Sequence, residues 1–291
     1  MNAPLADARQ AWRSFQRAAP DYDAVSFLQR EIGRRMLERL DCVKLDPGSV
    51  LDLGCGTGAS LHALRERYRD AVLVGADFSE NMLRAGYSQN PAQRWLFPQL
   101  LRKRVPRVAA DAVALPFANA SMGLIWSNMM FHWLGDPLSV LREIYRILET
   151  GGLLMFSTLG PDTLKELRAC FTDGYAHTQH FIDMHDYGDM LVELGYRDPV
   201  MDVETLTLTY PSPDDLFREL RLNGAACAAT NRRRGLTGRA AWRAVEERYL
   251  EQTVEGRLCA TFEIVYGHAW KMPPTNDASG NAILRFMRSP A

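Results

Sequence analysis

The stretch "VLDLGCGTGAS", residues 50 to 60, decides how the rest of the chain is read. An apolar run stops at three glycines, Gly54, Gly56 and Gly58, and opens into a segment with helical spacing, which predicts a strand, a tight turn and a helix N-terminus in succession. Glycines let the backbone turn sharply there and let a ligand approach where side chains would collide. A glycine trio alone also marks ordinary tight turns. Asp77 sharpens the signal, because it ends the next apolar run, 23 positions beyond Gly54, where a carboxylate can accept both ribose hydroxyls of an adenosine-type cofactor. The spacing is G-x-G-x-G, with Asp52 just before it. A dinucleotide needs a helix N-terminus left open for its pyrophosphate. An acid beside the glycines suits a cationic ligand better.

Outward from this turn, strands and helices alternate. Upstream, Val25, Leu28, Ile32, Met36 and Leu40 recur at helical spacing and predict an amphipathic helix between Asp23 and Leu40. Downstream come a strand "AVLVGAD", a helix "SENMLRAGY" with Ser79 as N-cap, strands "RVAAD" and "GLIWSN", a helix "PLSVLREIYRIL" stopped by Gly151 and Gly152, and a fifth strand "LLMFSTL". Such alternation implies a parallel, doubly wound sheet with helices on both faces. After two further helical segments, "DTLKELRACF" and "DMLVELGY", the β-branched runs "MDVETLTLTY" and "ATFEIVYGHAWK" are separated by about 45 residues that read as helical and basic. An insertion that long between neighbouring strands points to function. The chain thus divides into a helical segment over 1–45, suited to cover a site, a cofactor-binding core over 46–210, a basic helical insertion over 211–258, and a last strand and tail over 259–291.

Composition sets the outer limits. At 291 residues, 47% hydrophobic and 24% charged, the chain can bury a sizeable core. The formal net charge of -1 gives no global pull toward nucleic acid, and no apolar run approaches the roughly 20 residues of a membrane span. The first residues lack the apolar core of a signal peptide, and Asp7 argues against a transit peptide, so a cytoplasmic protein is expected. Cys42, Cys55, Cys170, Cys227 and Cys259 show no metal-ligand spacing, and no metal is expected. Two stretches are locally basic, "RKRVPR" at 102–107 and "NRRRGLTGR" at 231–239.

These motifs together resemble the class I S-adenosylmethionine-dependent methyltransferases, with "VLDLGCGTG" as the first motif and "GADFSENML" as the second. S-adenosylmethionine carries a cationic sulfonium, which the acid beside the glycines suits. The resemblance implies a Rossmann-like sheet and a cofactor site made of Asp52, Gly54, Gly56, Gly58, Asp77 and Phe78. It further implies that Asp111 reaches the adenine amino group, that Ala112 lies at the ring edge, and that Asn128 faces the methyl donor. Cys55 reads as packing. A wider set of segments, from "FQRAAPDYDAVSFLQREIGRRMLERL" through "SNMMFHWLGDPLSVLREIYRIL", "STLGPDTLKELR" and "FIDMHDYGDMLVELGY" to "RRRGLTGR" and "ATFEIVYGHAW", is similar to the malonyl carrier-protein O-methyltransferases of biotin synthesis. That resemblance runs over nearly the whole chain and implies esterification of the free carboxylate of a malonyl thioester, carried by an acyl carrier protein or by coenzyme A.

A carboxylate is already ionised at neutral pH and needs anchoring, whereas a phenol, amine or carbon acid needs a base. The sequence shows no base constellation. His132, in "SNMMFHW", sits where the acceptor would lie, and Phe15 and Tyr22 are placed to close over the sulfonium. Arg232, Arg233, Arg234 and Arg239 are the candidates to steer an acidic carrier protein or to grip the carboxylate, since a guanidinium fork matches a carboxylate. Too tight a grip would stabilise a charge that the reaction removes, so one arginine at the reacting oxygens is more plausible than four. The segment "YSQNPAQRWLFPQLLRKRVP" is longer than the family leads one to expect. It reads either as a second docking surface or as cover for a sheet edge. Three other readings stay open: an arginine hydroxylase of the complex I assembly type, a small-acid carboxyl methyltransferase, and a non-catalytic S-adenosylmethionine-binding scaffold. Oligomeric state has no signature in the sequence.

Overall fold

The structure, a computed structural model, describes residues 6–88, 105–253 and 255–273. Seven strands form one sheet: β1 (Ser49–Leu53), β2 (Val72–Asp77), β3 (Arg107–Ala109), β4 (Met122–Asn128), β5 (Leu148–Leu159), β6 (Arg197–Tyr210) and β7 (Leu258–Lys271). Their order is 3-2-1-4-5-7-6. The first five are parallel, and β7 runs antiparallel between β5 and β6. This is the doubly wound α/β sheet expected, with the insertion between the last two strands.

Central strands are covered on both faces, which is why β4 is apolar nearly throughout and buried over six successive residues. Strand parity sorts their side chains. Val50, Leu124 and Trp126 join one core with Ile32 and Met36 of α3 (Phe27–Arg39), while Leu51 and Ile125 join the other with Val140 and Ile144 of α6 (Pro137–Ile147). The remaining helices are α1 (Ala8–Ala18), α2 (Tyr22–Val25), α4 (Leu61–Arg67), α5 (Glu80–Ser88), α7 (Lys165–Ala169), α8 (Met184–Glu193), α9 (Pro213–Leu222) and α10 (Arg239–Leu250). No helix among the described residues is long and apolar enough to cross a membrane.

Three local expectations are corrected. The single helix read between Asp23 and Leu40 is broken at Ser26 into α2 and α3. Arg30 holds the break, donating to the Asp23 carbonyl at 2.6 Å and to the Ser26 hydroxyl at 2.9 Å. Helix α6 ends at Ile147, before the glycine pair, and residues 149–152 bulge out of β5 between the Met122–Leu148 and Leu124–Leu153 pairings. The insertion is two helices, α9 and α10, with an irregular stretch over 223–238 that opens at Gly224. The segment 89–104, with Trp95, Leu96, Phe97, Leu100, Leu101, Arg102, Lys103 and Arg104, lies outside the described residues, as does the tail after 273.

Candidate active site

Strand order reverses between β1 and β4, and the crevice beyond their carboxyl ends is where open α/β sheets bind ligands. A cavity of about 400 Å³ opens there. Its floor is the glycine turn. Gly54 and Cys55 donate their N–H groups to the Ala76 carbonyl at 2.8 and 3.0 Å, which pins the turn to the end of β2. Gly54 has φ +76° and a Cβ there would meet the Met130 side chain at 2.8 Å, so the residue is glycine for both space and backbone. At Gly58, φ +85°, a Cβ would fall 2.5 Å from a guanidinium nitrogen of Arg107. Gly54 and Gly56 line the cavity; Gly58 does not, and serves the packing of Arg107 behind the turn.

Asp77 closes this end. Its carboxylate accepts the Gly56 N–H and the Ser79 N–H, both at 2.8 Å. Burial pushes its pKa up to about 6 against the opposing pull of those two donors. Ser79 also caps α5, accepting the Met82 N–H at 3.4 Å. Asp52 is placed differently from expectation. It is buried at 2% exposure, does not line the cavity, and burial together with the Asp77 charge pushes its pKa up to about 8. Burial thus favours the neutral form, and one of its oxygens has no partner among the described residues. Asp111 and Ala112 lie at the rim after β3, with the exposed Asp111 accepting the Val113 N–H at 3.1 Å. Asn128 lines the cavity, but its amide is engaged: it donates to the Gln29 carbonyl at 2.9 Å and accepts the Ser157 hydroxyl at 2.7 Å, tying α3 to β4 and β5.

The helices preceding β1 supply the cover. Phe15 of α1 packs edge-on against Tyr22, Phe78 and Trp133, with ring centroids 6.4, 5.9 and 5.1 Å away, and all four rings line the cavity. The break at Ser26 lets α2 turn toward the glycines, where the Thr57 hydroxyl donates to Asp23 at 2.5 Å. Burial and the nearby Asp77 and Asp23 charges raise the Tyr22 phenol well above its usual range, so it keeps its proton.

His132 sits in a 3₁₀ turn after β4, buried, with Nδ1 3.4 Å from the Thr158 hydroxyl oxygen. Burial pulls its pKa down to about 3, so the imidazole is neutral. The far wall comes from residues that were not singled out individually in the sequence: Thr163 and Leu164 before α7, residues 177–179 and Phe181, and Glu219, Asn223 and Ala225 at the end of α9. His177 stacks on Phe171 at 3.7 Å with its Nε2 2.8 Å from Asp173.

None of the four candidate arginines lines the cavity. Arg232 is paired with Asp7 at 3.0 Å and Arg233 with Asp173 at 3.1 Å, while Arg234 and Arg239 lie on the exposed surface. Among the described residues no cluster of His, Cys, Asp and Glu could hold a metal ion.

Residues 51–156 match the methyltransferase domain family. The chain is 44% identical to the malonyl-(acyl-carrier protein) O-methyltransferase of Gallionella capsiferriformans, with 98% of each chain covered. It is 48% identical to the protein of that name from Methylovorus sp., covering 93% of this chain and 91% of the other. The YcgJ protein from Bacillus subtilis matches with a TM-score of 0.58 at 13% identity, covering 83% of this chain and 99% of its own, a likeness of fold.

Proposed function

Because the chain belongs to the malonyl-(acyl-carrier protein) O-methyltransferase family, we propose that its cavity holds S-adenosylmethionine at the glycine-turn end and a malonyl thioester against the far wall. The protein is an S-adenosylmethionine-dependent carboxyl O-methyltransferase, and its partner is an acyl carrier protein. When bound, S-adenosylmethionine offers a methyl group on a cationic sulfonium, and attack by the malonyl carboxylate forms an O–C bond as the S–C bond breaks, so that both charges vanish and no proton moves.

The residues fit that group. Asp77 spends two hydrogen-bonding positions on the turn and keeps the rest for ribose hydroxyls, while Phe78, Ala112 and Met82 offer the apolar faces an adenine ring needs. Asp111 supplies an acceptor at the rim. The Phe15, Tyr22, Phe78 and Trp133 cluster excludes water from the reacting centre, and holding the reactants aligned in a dry pocket is the main catalytic contribution. His132 bounds the acceptor space as a neutral group.

The observation that carries the reading is the continuity of one cavity from Asp77 to α9, past a histidine whose pKa is too low for it to act as a base at neutral pH. The acceptor this favours arrives already ionised. The hydroxylase, small-acid and scaffold readings are not favoured by relatives that share 44% and 48% of their residues with the chain. In this reading the ester masks the charged end of the malonyl group for chain elongation toward biotin. The test is mass spectrometry of malonyl carrier protein and malonyl-coenzyme A after incubation with the enzyme and S-adenosylmethionine. Gain of one esterase-labile methyl group on the carrier protein, at a higher initial rate than on coenzyme A, is expected; no gain on either would end the assignment.

A further inference from the structure

The malonyl carboxylate needs a ligand, and among the described residues no lysine or arginine lines the cavity. Its titratable lining there is Asp77, Asp111, Asp136 and Glu219, with two histidines and the protonated Tyr22 phenol. Gln179 stands out in this setting. Its side chain is 7% exposed and lines the cavity, in the segment between α7 and α8. Its Oε1 accepts the Ala228 N–H at 3.1 Å. That bond fixes the amide, because turning it over would set its NH₂ against another N–H. The Nε2 is buried and has no partner among the described residues. A buried donor left unmade is costly, which makes this amide a fitting partner for an acceptor brought by a ligand.

Ala228, which holds the amide, is itself clamped. Its carbonyl accepts the Asp7 N–H at 2.6 Å, Ala6 pairs with Ala229, and Ala176 pairs with Arg232. The strip over 228–232 thus lies between the chain leading into α1 and the chain leading to Gln179, which gives the amide a rigid backing.

We propose that Gln179 is the residue that receives the free carboxylate of the acceptor, through its carboxamide N–H. The inference rests on the function proposed above and adds to it the group that selects a carboxylate. A neutral donor suits a reaction that abolishes the acceptor's charge. A guanidinium would hold the ionised ground state more tightly than a transition state whose charge is already falling. A carboxamide orients the oxygens at less cost to the barrier, and it releases the uncharged ester.

The isosteric variant Gln179→Glu separates binding from scaffolding, since it keeps an acceptor for the Ala228 N–H and replaces the donor with a like charge. Steady-state rates with malonyl carrier protein are expected to fall in kcat/KM by about a hundredfold or more, and by roughly tenfold in Gln179→Ala. S-adenosylmethionine affinity, read by calorimetry, should be unchanged in both. Competitive inhibition by acetyl carrier protein, which has the thioester carbonyl but no carboxylate, should also be unchanged. Full activity in Gln179→Glu would reduce Gln179 to a strut for Ala228. Weakened acetyl carrier protein binding would move its donor to the thioester carbonyl, and loss of S-adenosylmethionine binding in both variants would move it to the cofactor half. Each of these outcomes overturns the proposal. Absence of methylation by the wild-type enzyme would instead overturn the function it rests on.

Discussion

At the glycine-turn end of the cavity, most polar contacts lie within one strand-helix-strand unit and its next turn, from Gly54 to Ser79, with Asp23 reaching in to Thr57. At the far end they come from His132, Gln179 and Asn223, on three segments that meet only in the folded chain. The first end uses backbone N–H groups and one carboxylate that the sheet holds in place. The second uses side chains whose positions depend on how α1, α9 and the strip over 228–232 dock. An end built on backbone suits a ligand common to a large fold class, and in the function proposed above the end built on docking is the one that would select the acceptor.

Asp77→Ala strikes the first end and has the largest expected effect. It removes the acceptor for the Gly56 and Ser79 N–H groups as well as the one for the ribose, and hydrogen bonds to a charged group are worth about 1.5–3 kcal/mol each. Affinity for S-adenosylmethionine should drop on the order of a hundredfold by calorimetry. Asp111→Ala, at an exposed rim position, should cost only a fewfold. Equal losses at the two positions would mean that the glycine-turn end has no privileged anchor, and the contrast between the ends would fail.

The same contrast explains what could be read before folding. The glycines, Asp77 and the alternation of elements are local patterns, and the doubly wound sheet follows from them. His132 was within reach because it follows β4 in sequence. Gln179 lies in "YAHTQHF", which has no periodicity and no motif. Only the bond to Ala228, 49 residues away, gives its amide a direction. The pairing of two of the arginines was hidden for a related reason. Arg232 and Arg233 look like free cations in "NRRRGLTGR", yet their acids lie 225 and 60 residues away, at Asp7 and Asp173. The break at Ser26 was hidden too, since the apolar period runs through it, and what ends the helix is Arg30 reaching back to the Asp23 carbonyl.

Asp52 sharpens the comparison from the side of stability. Its pKa of about 8 in the folded protein exceeds the ordinary carboxylate value of 3.8. Below about pH 4 the proton is held in both states, and the contribution to stability is intact. Between about pH 4 and 8 the unfolded chain releases a proton that the folded chain retains, so stability falls with rising pH and levels off above about 8. Asp52→Asn removes that dependence. The Tm difference between this variant and the wild type should move in the variant's favour by several degrees as pH rises from about 5 to 8. A constant difference across that range would show that Asp52 titrates normally beneath the turn.

A salt-dependent effect is expected at the surface arginines, and it divides the four of them. Arg234 and Arg239 are exposed, so their charge acts on a partner at a distance, as steering that salt screens. Reversing both, Arg234→Glu with Arg239→Glu, should raise KM for malonyl carrier protein roughly three- to tenfold at low ionic strength and very little at high. The effect on S-adenosylmethionine affinity should be nil. Arg232 is half-buried on Asp7, so Arg232→Glu sets two carboxylates against each other where the chain enters α1. It should lower Tm and loosen the cover over the cavity, with kcat/KM falling at any salt concentration. The rim and the clamp are therefore told apart by ionic strength. A salt-independent loss in the double variant would place Arg234 or Arg239 in contact with the acceptor, and would move part of the recognition from the buried end of the cavity to its mouth.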